Sequence, residues 1–325
     1  MSLFTPASLA YLRAHHGVAS RAALAETGLS DHAVRRLVDA GNLQPVLRGV
    51  YRMPVAALDL HARCAAVCAA HPDLAIASVT AGRIWGLRRV PRDPRIHVLA
   101  PPASHPTIAE WVIPYRTSAV HARDVVVRPD GIAVTSRPRT AFDLTRSVGP
   151  GDLLSIIEQV IADGGHGSDE MRRVAVDWLS PGRPWVRRYL RVLDRRLPGG
   201  AAESHLETVL GDALVAAGVR GIERQFWIDL PGYGPARFDL ALPAIRLAIE
   251  VDGFPTHRET DGRHRDASRD AAARLLDWSV TRVEDRHVTR ELPTTVAAIR
   301  ELVSVMSLDA HVSRRNSSRR VGGSA

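Results

Sequence analysis

Three carboxylates, Asp239, Glu250 and Asp252, fall inside two short apolar stretches near the C-terminal end of the chain, residues 236–241 (ARFDLA) and 246–253 (RLAIEVDG). A carboxylate is rarely buried without a charge partner or a metal ion, so this arrangement asks for a cation. Successive side chains of a strand point to opposite faces. By that count Phe238, Leu240, Leu247, Ile249 and Val251 share one face, and the three carboxylates converge on the other. A carboxylate-held cation is a setting for metal-assisted hydrolysis. The alternative is structural: Asp239 and Glu250 pair with arginines such as Arg237 and Arg269 in a supporting network.

The elements that must position these groups form a continuous pattern. Leu206, Leu210 and Leu214 recur at helical spacing within residues 203–217, with Glu207 on the edge of the stripe. Strands are predicted over 225–230, 237–241 and 247–251, the last two joined by a short turn and therefore antiparallel. A helix over 259–276, a strand over 278–283 and a closing helix over 292–303 complete a mixed α/β order. Beyond Asp309 the chain is basic and rich in Ser and Gly, which predicts a disordered tail over 309–325.

The N-terminal residues 1–55 have a different cadence. Three short helices are read, the second ended by Gly28 and the third by Gly41, and Val34, Leu37 and Val38 recur at helical spacing in the third. That is the pattern of a helix-turn-helix. His32, Arg35 and Arg36 fall on the outer face of the third helix, and the following LQPVLRGVYRM suits a wing carrying Arg48 and Arg52. Arg35 is placed to reach a base edge, while Arg36, Arg48 and Arg52 are placed to contact phosphates. The alternative is a three-helix packing or dimerisation module. Residues 56–198 read as an α+β region: helices over 56–70 and 75–87, then strand-like pieces at 95–99, 110–115, 124–128 and 132–135. His97, His105 and His121 read as ordinary surface or turn residues. Basic helices with Trp178 and Trp185 follow, and Pro198 to Gly200 mark the clearest boundary.

The chain has 325 residues, room for two or three domains, and a 45% apolar content ordinary for globular cores. Its net charge of +8 is carried by arginine, whose planar fork suits phosphates and base edges. Nucleic acid is thus a reasonable partner, although an arginine-rich solvated surface gives the same total. The two cysteines, Cys64 and Cys68, are too few for a disulfide framework or a zinc site and read as buried fillers in a reducing compartment. No signal segment opens the chain and no apolar run reaches membrane length, so a cytoplasmic location without membrane association is expected.

Two resemblances add to this reading. The run HGVASRAALAETGLSDHAVRRLVDAGNLQPVLRGVYRM, residues 16–53, resembles the winged-helix domain of bacterial abortive-infection type IV antitoxins. It implies binding of operator DNA, and the antitoxin-like architecture continues into the middle region. The motifs SHLE (204–207), FDLA (238–241), IEVDG (249–253) with His257 following, RDASRDAA (265–272) and DWSVTRV (277–283) resemble a PD-(D/E)xK nuclease fold. The branch is that of very-short-patch mismatch-repair endonucleases, in the group named domain of unknown function 559. This implies a restriction-endonuclease-like domain over residues 199–308 that holds Mg²⁺, or Mn²⁺ in its place, on Asp239, Glu250 and the Val251 carbonyl. Glu207 would then hold a water or a second ion, Arg269 would steady phosphate charge, and His257 would serve as acid or base. Asp252 stands where that fold ordinarily keeps a catalytic lysine. The expectation is a multidomain α/β protein acting as an Mg²⁺-dependent endonuclease on double-stranded DNA. Its alternatives are a DNA-binding regulator or antitoxin-like protein with an inactive nuclease fold, and a protein-interaction scaffold. A homodimer is a natural expectation for a winged helix, and a toxin or repair partner for the resemblances.

Overall fold

The computed structural model describes residues 4–102, 109–117, 121–176, 178, 184–198, 202, 204–252 and 260–321. The chain divides into two units, one of residues 1–148 with 169–189 and the other of residues 149–168 with 190–325. The stretches 149–168 and 190–198 therefore fold with the C-terminal unit, although the sequence marks its break at Pro198 to Gly200.

The first unit begins with α1 (Pro6–Ala14), β1 (Val18–Ser20), α2 (Arg21–Glu26), α3 (Asp31–Asp39), β2 (Gln44–Leu47) and β3 (Val50–Arg52). Each helix starts at a hydroxyl that accepts a backbone N–H three residues on: Thr5 from Ser8 at 3.0 Å, Ser20 from Ala23 at 3.1 Å and Ser30 from Ala33 at 3.2 Å. Such caps satisfy donors that a short helix would otherwise leave orphaned. Leu12, Leu24, Leu29, Val34, Leu37 and Leu43 close a small core beneath them. The strands form an antiparallel sheet in the order β1-β3-β2. Three helices and this sheet fit a winged helix.

The middle elements are α4 (Leu60–Ala70), β4 (Ala75–Ile76), α5 (Ser78–Ile84), β5 (Ile96–Ala100), β6 (Val112–Arg116), β7 (Val125–Val127), β8 (Ala133–Thr135) and α6 (Arg137–Leu144). Their sheet runs β6-β5-β4-β8-β7 and is mixed, with β5·β6 and β4·β8 parallel. Strand β4 stands where the sequence predicts the start of one helix over 75–87. Ser78, two residues beyond the end of β4, takes a left-handed φ of 50°, and a new element starts there. His97 is also a correction. It lies buried in β5, between the Tyr115 hydroxyl at 2.9 Å and the Asp93 carboxylate at 3.0 Å. His121 is exposed, and His105 lies outside the described residues. Cys64 and Cys68 are free and buried on α4, and burial pushes both thiols up, Cys68 to about 11.

Helix α7 (Pro150–Gly164) ends where Gly165 turns left-handed, at φ 63°. It belongs to the second unit; α8 (Ser168–Val176) and α9 (Pro184–Leu193) follow in sequence. The second unit continues with α10 (His205–Ala216), β9 (Glu223–Leu230), β10 (Gly234–Leu242), β11 (Leu247–Asp252), α11 (Thr260–Arg274), β12 (Ser279–Glu284), α12 (Asp285–Thr289) and α13 (Leu292–Val321). Its sheet has the order β12-β11-β10-β9, with β12 parallel to β11 and the remaining pairs antiparallel. Leu240, Leu242, Leu247 and Ile249 pack with Leu210 and Leu214 of α10 and Ile299 of α13. Phe238, Ala241 and Ala248 pack instead with Ala272 and Ala273 of α11 and with Trp278. Phe238 and Leu240 therefore join different cores, which corrects the strict alternation expected of β10. The slip falls at Asp239, opposite the β9 residue Gln225, whose φ of 50° interrupts regular extended backbone.

Glu158 of α7 is wholly buried and forms the anchor of this unit. It pairs with Arg196, with Nε at 3.1 Å, and with the fully buried Arg224 of β9, and it accepts the Ala202 N–H at 3.2 Å. The backbone also differs from expectation at the C-terminus. Residues 310–321 continue α13 as helix where a disordered tail was predicted, because no glycine or proline interrupts the chain between Pro293 and Gly322.

Candidate nucleic-acid interface and carboxylate cluster

Helix α3 is amphipathic by construction. Val34 and Leu37 point into the core, at 1% and 0% exposure, which leaves His32, Arg35 and Arg36 on the opposite face, all exposed. Arg48 is exposed at the β2–β3 turn beside Gly49, whose φ of 72° makes the tight reversal possible. These four residues lie on the helix and the wing that a winged helix presents to DNA. Arg52 differs. Its guanidinium donates to the Ala56 carbonyl and to the Gln44 side chain, each at 2.8 Å, so it ties β3 to β2 and to the chain beyond. Arg21, which the sequence pattern did not single out, is exposed at the first turn of α2, with Nε 3.5 Å from Asp31 and Nη2 3.4 Å from the Tyr51 hydroxyl. Its position directly after the Ser20 cap was the available signal.

In the second unit the β10·β11 register runs Leu242↔Leu247, Ala241↔Ala248 and Leu240↔Ile249 and stops there. The Asp239 carboxylate takes over as acceptor, receiving the Val251 N–H at 2.8 Å. Strand β11 stays paired with β12 as far as Asp252, and its Glu250 stands opposite Arg282. Glu250 is 8% exposed. Burial, then the nearby Asp239 charge, outweigh Arg269 and Arg282, and Asp252 adds to the rise; the Glu250 carboxyl is pushed up to about 7. Arg269 of α11 brings Nη2 to 3.2 Å from Glu250 Oε1, yet the two are misaligned and Oε1 accepts no hydrogen bond. Arg282 instead forms a two-pronged pair with Asp270, at 2.6 and 2.9 Å.

Asp239, Asp252 and Arg269 thus all stand near enough to Glu250 to act on its charge. Glu207 is buried on α10 and accepts from the Gln225 amide at 2.8 Å, an interaction missed from sequence because Gln225 looked like an ordinary strand residue. His257 lies outside the described residues. Among the described residues no group of three or more His, Cys, Asp or Glu side chains stands close enough to hold a metal ion. What remains for a divalent cation is a smaller set, Asp239, Glu250 and a backbone carbonyl, and the Arg269 guanidinium already stands beside Glu250 Oε1. The chain contains no lysine, so the amine absent at Asp252 cannot be supplied from elsewhere in the sequence.

Comparison with known proteins bears on the first unit. Residues 8–54 match the family model described as a transcriptional regulator, AbiEi antitoxin. The match spans the three short helices and the β1-β3-β2 sheet, so this segment is similar to an antitoxin-type regulator domain. Among solved structures, a protein named RV2827C from Mycobacterium tuberculosis matches at 19% identity and a TM-score of 0.40, covering 57% of this chain and 74% of that one. No curated protein matches. Among the described residues no helix is long and apolar enough to cross a membrane.

Proposed function

We propose that this protein is a DNA-binding transcriptional regulator that grips double-stranded DNA with α3 and the β2–β3 turn, in the manner of an antitoxin. The observation that carries the reading is the coincidence of two things in one segment. Residues 8–54 match the regulator model, and the same residues put His32, Arg35, Arg36 and Arg48 on the exposed face that a winged helix offers to the major groove and its phosphates. A toxin whose synthesis or activity it restrains is the partner such a regulator implies. The test is fluorescence anisotropy with labelled duplexes from its own promoter region over a range of salt. Binding should fall steeply with salt, and an Arg35→Ala, Arg36→Ala double variant should bind more weakly, with a slope shallower by about 1 for each phosphate that is no longer neutralised. No binding at low salt, or a double variant that binds like the wild type, rejects the reading.

A second reading concerns the other unit and is favoured by Glu250, a buried carboxylate near Asp239 and Asp252 with one oxygen that accepts no hydrogen bond. It is phosphodiester hydrolysis at Asp239 and Glu250. A divalent cation bound there would supply Lewis-acid polarisation of the phosphate. Asp239 would hold its ligand orientation through the Val251 N–H, and Arg269 would offset negative charge at the phosphate. Asp252 cannot do what a lysine does in that place, and the family match does not reach this unit. The check is thermal: Mg²⁺ or Mn²⁺ should raise the melting temperature at pH 8, and Glu250→Gln should abolish the shift. Unchanged melting in the metal titration counts against the site.

A further inference from the structure

The first unit contains an open cavity of about 220 Å³ that neither the winged helix nor the carboxylate cluster uses. Trp178 and Trp185 stand on its wall with ring centroids 5.7 Å apart, both braced by the buried Phe142, at 5.8 and 4.9 Å. Arg146, just beyond α6, is exposed and lays its guanidinium 5.8 Å from the Tyr115 ring and 5.7 Å from the Trp185 ring. Arg116, at the end of β6, is exposed and also lines the cavity. Indole and phenol faces attract flat rings, and guanidinium groups attract anions.

Specificity comes from α6. Arg139 is wholly buried and gives Nε to Asp143 Oδ1 at 3.0 Å and Nη1 to Asp124 at 2.9 Å, while standing 4.6 Å over the Trp178 ring. This grip fixes the Asp143 carboxylate in orientation and leaves its other oxygen, Oδ2, buried in the cavity wall with no hydrogen-bond donor. Buried acceptors are nearly always satisfied, so one held rigidly without a donor points to a ligand that brings an N–H. Burial also pushes the Asp143 carboxyl up, against the opposing pull of Arg139, as expected of an acceptor cut off from water.

Three demands meet in one place: a flat ring, an N–H aimed at a carboxylate, and an anionic group at an arginine-lined mouth. We propose that this cavity binds a nucleotide, with its base against Trp178 and Trp185, an amino or imino N–H on Asp143 Oδ2, and its phosphate between Arg116 and Arg146. A simple anion leaves the indoles and Asp143 unused. A neutral aromatic leaves the arginines unused. The nucleotide can come from two sources, a free mononucleotide or an unpaired residue of a nucleic-acid strand, since both present the same base and phosphate.

Calorimetric titration of the full-length Arg35→Ala, Arg36→Ala protein separates them, because that background removes α3 as a competing nucleic-acid surface. The probes are AMP, GMP, CMP and UMP, a short single-stranded oligonucleotide, and inorganic phosphate alone. At least one mononucleotide or the oligonucleotide should saturate the protein at one site, and phosphate alone should not. Arg146→Ala and Trp185→Ala should each weaken that binding by about tenfold, the scale of one charge-assisted interaction or one stacked base. Arg146 is exposed, so its variant keeps the test decisive if the tryptophan variant fails to fold by circular dichroism. Saturation by the oligonucleotide but by no mononucleotide assigns the site to a strand. Absence of saturable binding by every probe, or equal affinity in a folded Arg146→Ala protein, overturns the proposal.

Discussion

Glu250 holds its proton far more tightly in the folded protein than in the unfolded chain, and the sign of the effect on stability follows. A carboxyl raised to about 7 contributes its full stability below the unfolded carboxylate range near pH 4 and loses it as pH rises from there through 7. Stability of the second unit should accordingly fall by roughly 3 kcal/mol across that window. In Glu250→Gln the fall should shrink, and the variant should be the more stable protein at pH 8; a wild-type pH profile retained in the variant would contradict the assignment. Asp239 and Glu250 were legible as a pair because charge on an apolar strand is conspicuous. The functions of Arg52 and Gln225 were not, since nothing in an arginine's sequence neighbours says whether its guanidinium faces solvent or binds a carbonyl four residues away.

At the scale of elements, local signals were the readable ones. Glycine stops and helical spacing placed α2 and α3 closely, because each depends on residues within one turn. What failed was non-local. Strand β4 is only two residues long and exists through its neighbours β5 and β8, and the face change along β10 depends on the backbone of β9 across the sheet. Gly17 illustrates a demand that sequence hints at and structure explains. Its φ is 74°, and a Cβ there would stand 2.5 Å from the Ala56 Cβ. Gly17→Ala should therefore destabilise the first unit by about 1–3 kcal/mol, through overpacking and left-handed strain together. Melting of the single variant measures it, and a loss below a few tenths of a kcal/mol would show that the chain at Ala56 yields freely.

For the molecule as a whole, the division into two units passes through residues that composition assigned to one middle region. The reason is Glu158. A wholly buried acid on α7 bonded to Arg196 and Arg224 commits that helix to the C-terminal unit, and no hydrophobic pattern announces such a tie. Removing it leaves two arginines facing each other, one fully buried. Glu158→Ala should cost about 3–5 kcal/mol, as breaking a buried pair from one side does. The loss should fall on the second unit, whose unfolding is followed in denaturant through Trp227 and Trp278 after the other tryptophans are replaced by phenylalanine. An unshifted transition would mean that α7 is held by its apolar face alone.

The way β10 and β11 part company gives the second unit an internal reporter. Amides inside a paired register are released to solvent only when strands separate, whereas the Val251 amide is guarded by a single side chain, the Asp239 carboxylate. Its exchange with deuterium is thus governed by the charge and position of one acid, and any cation or phosphate that draws Asp239 away is written directly into that one rate.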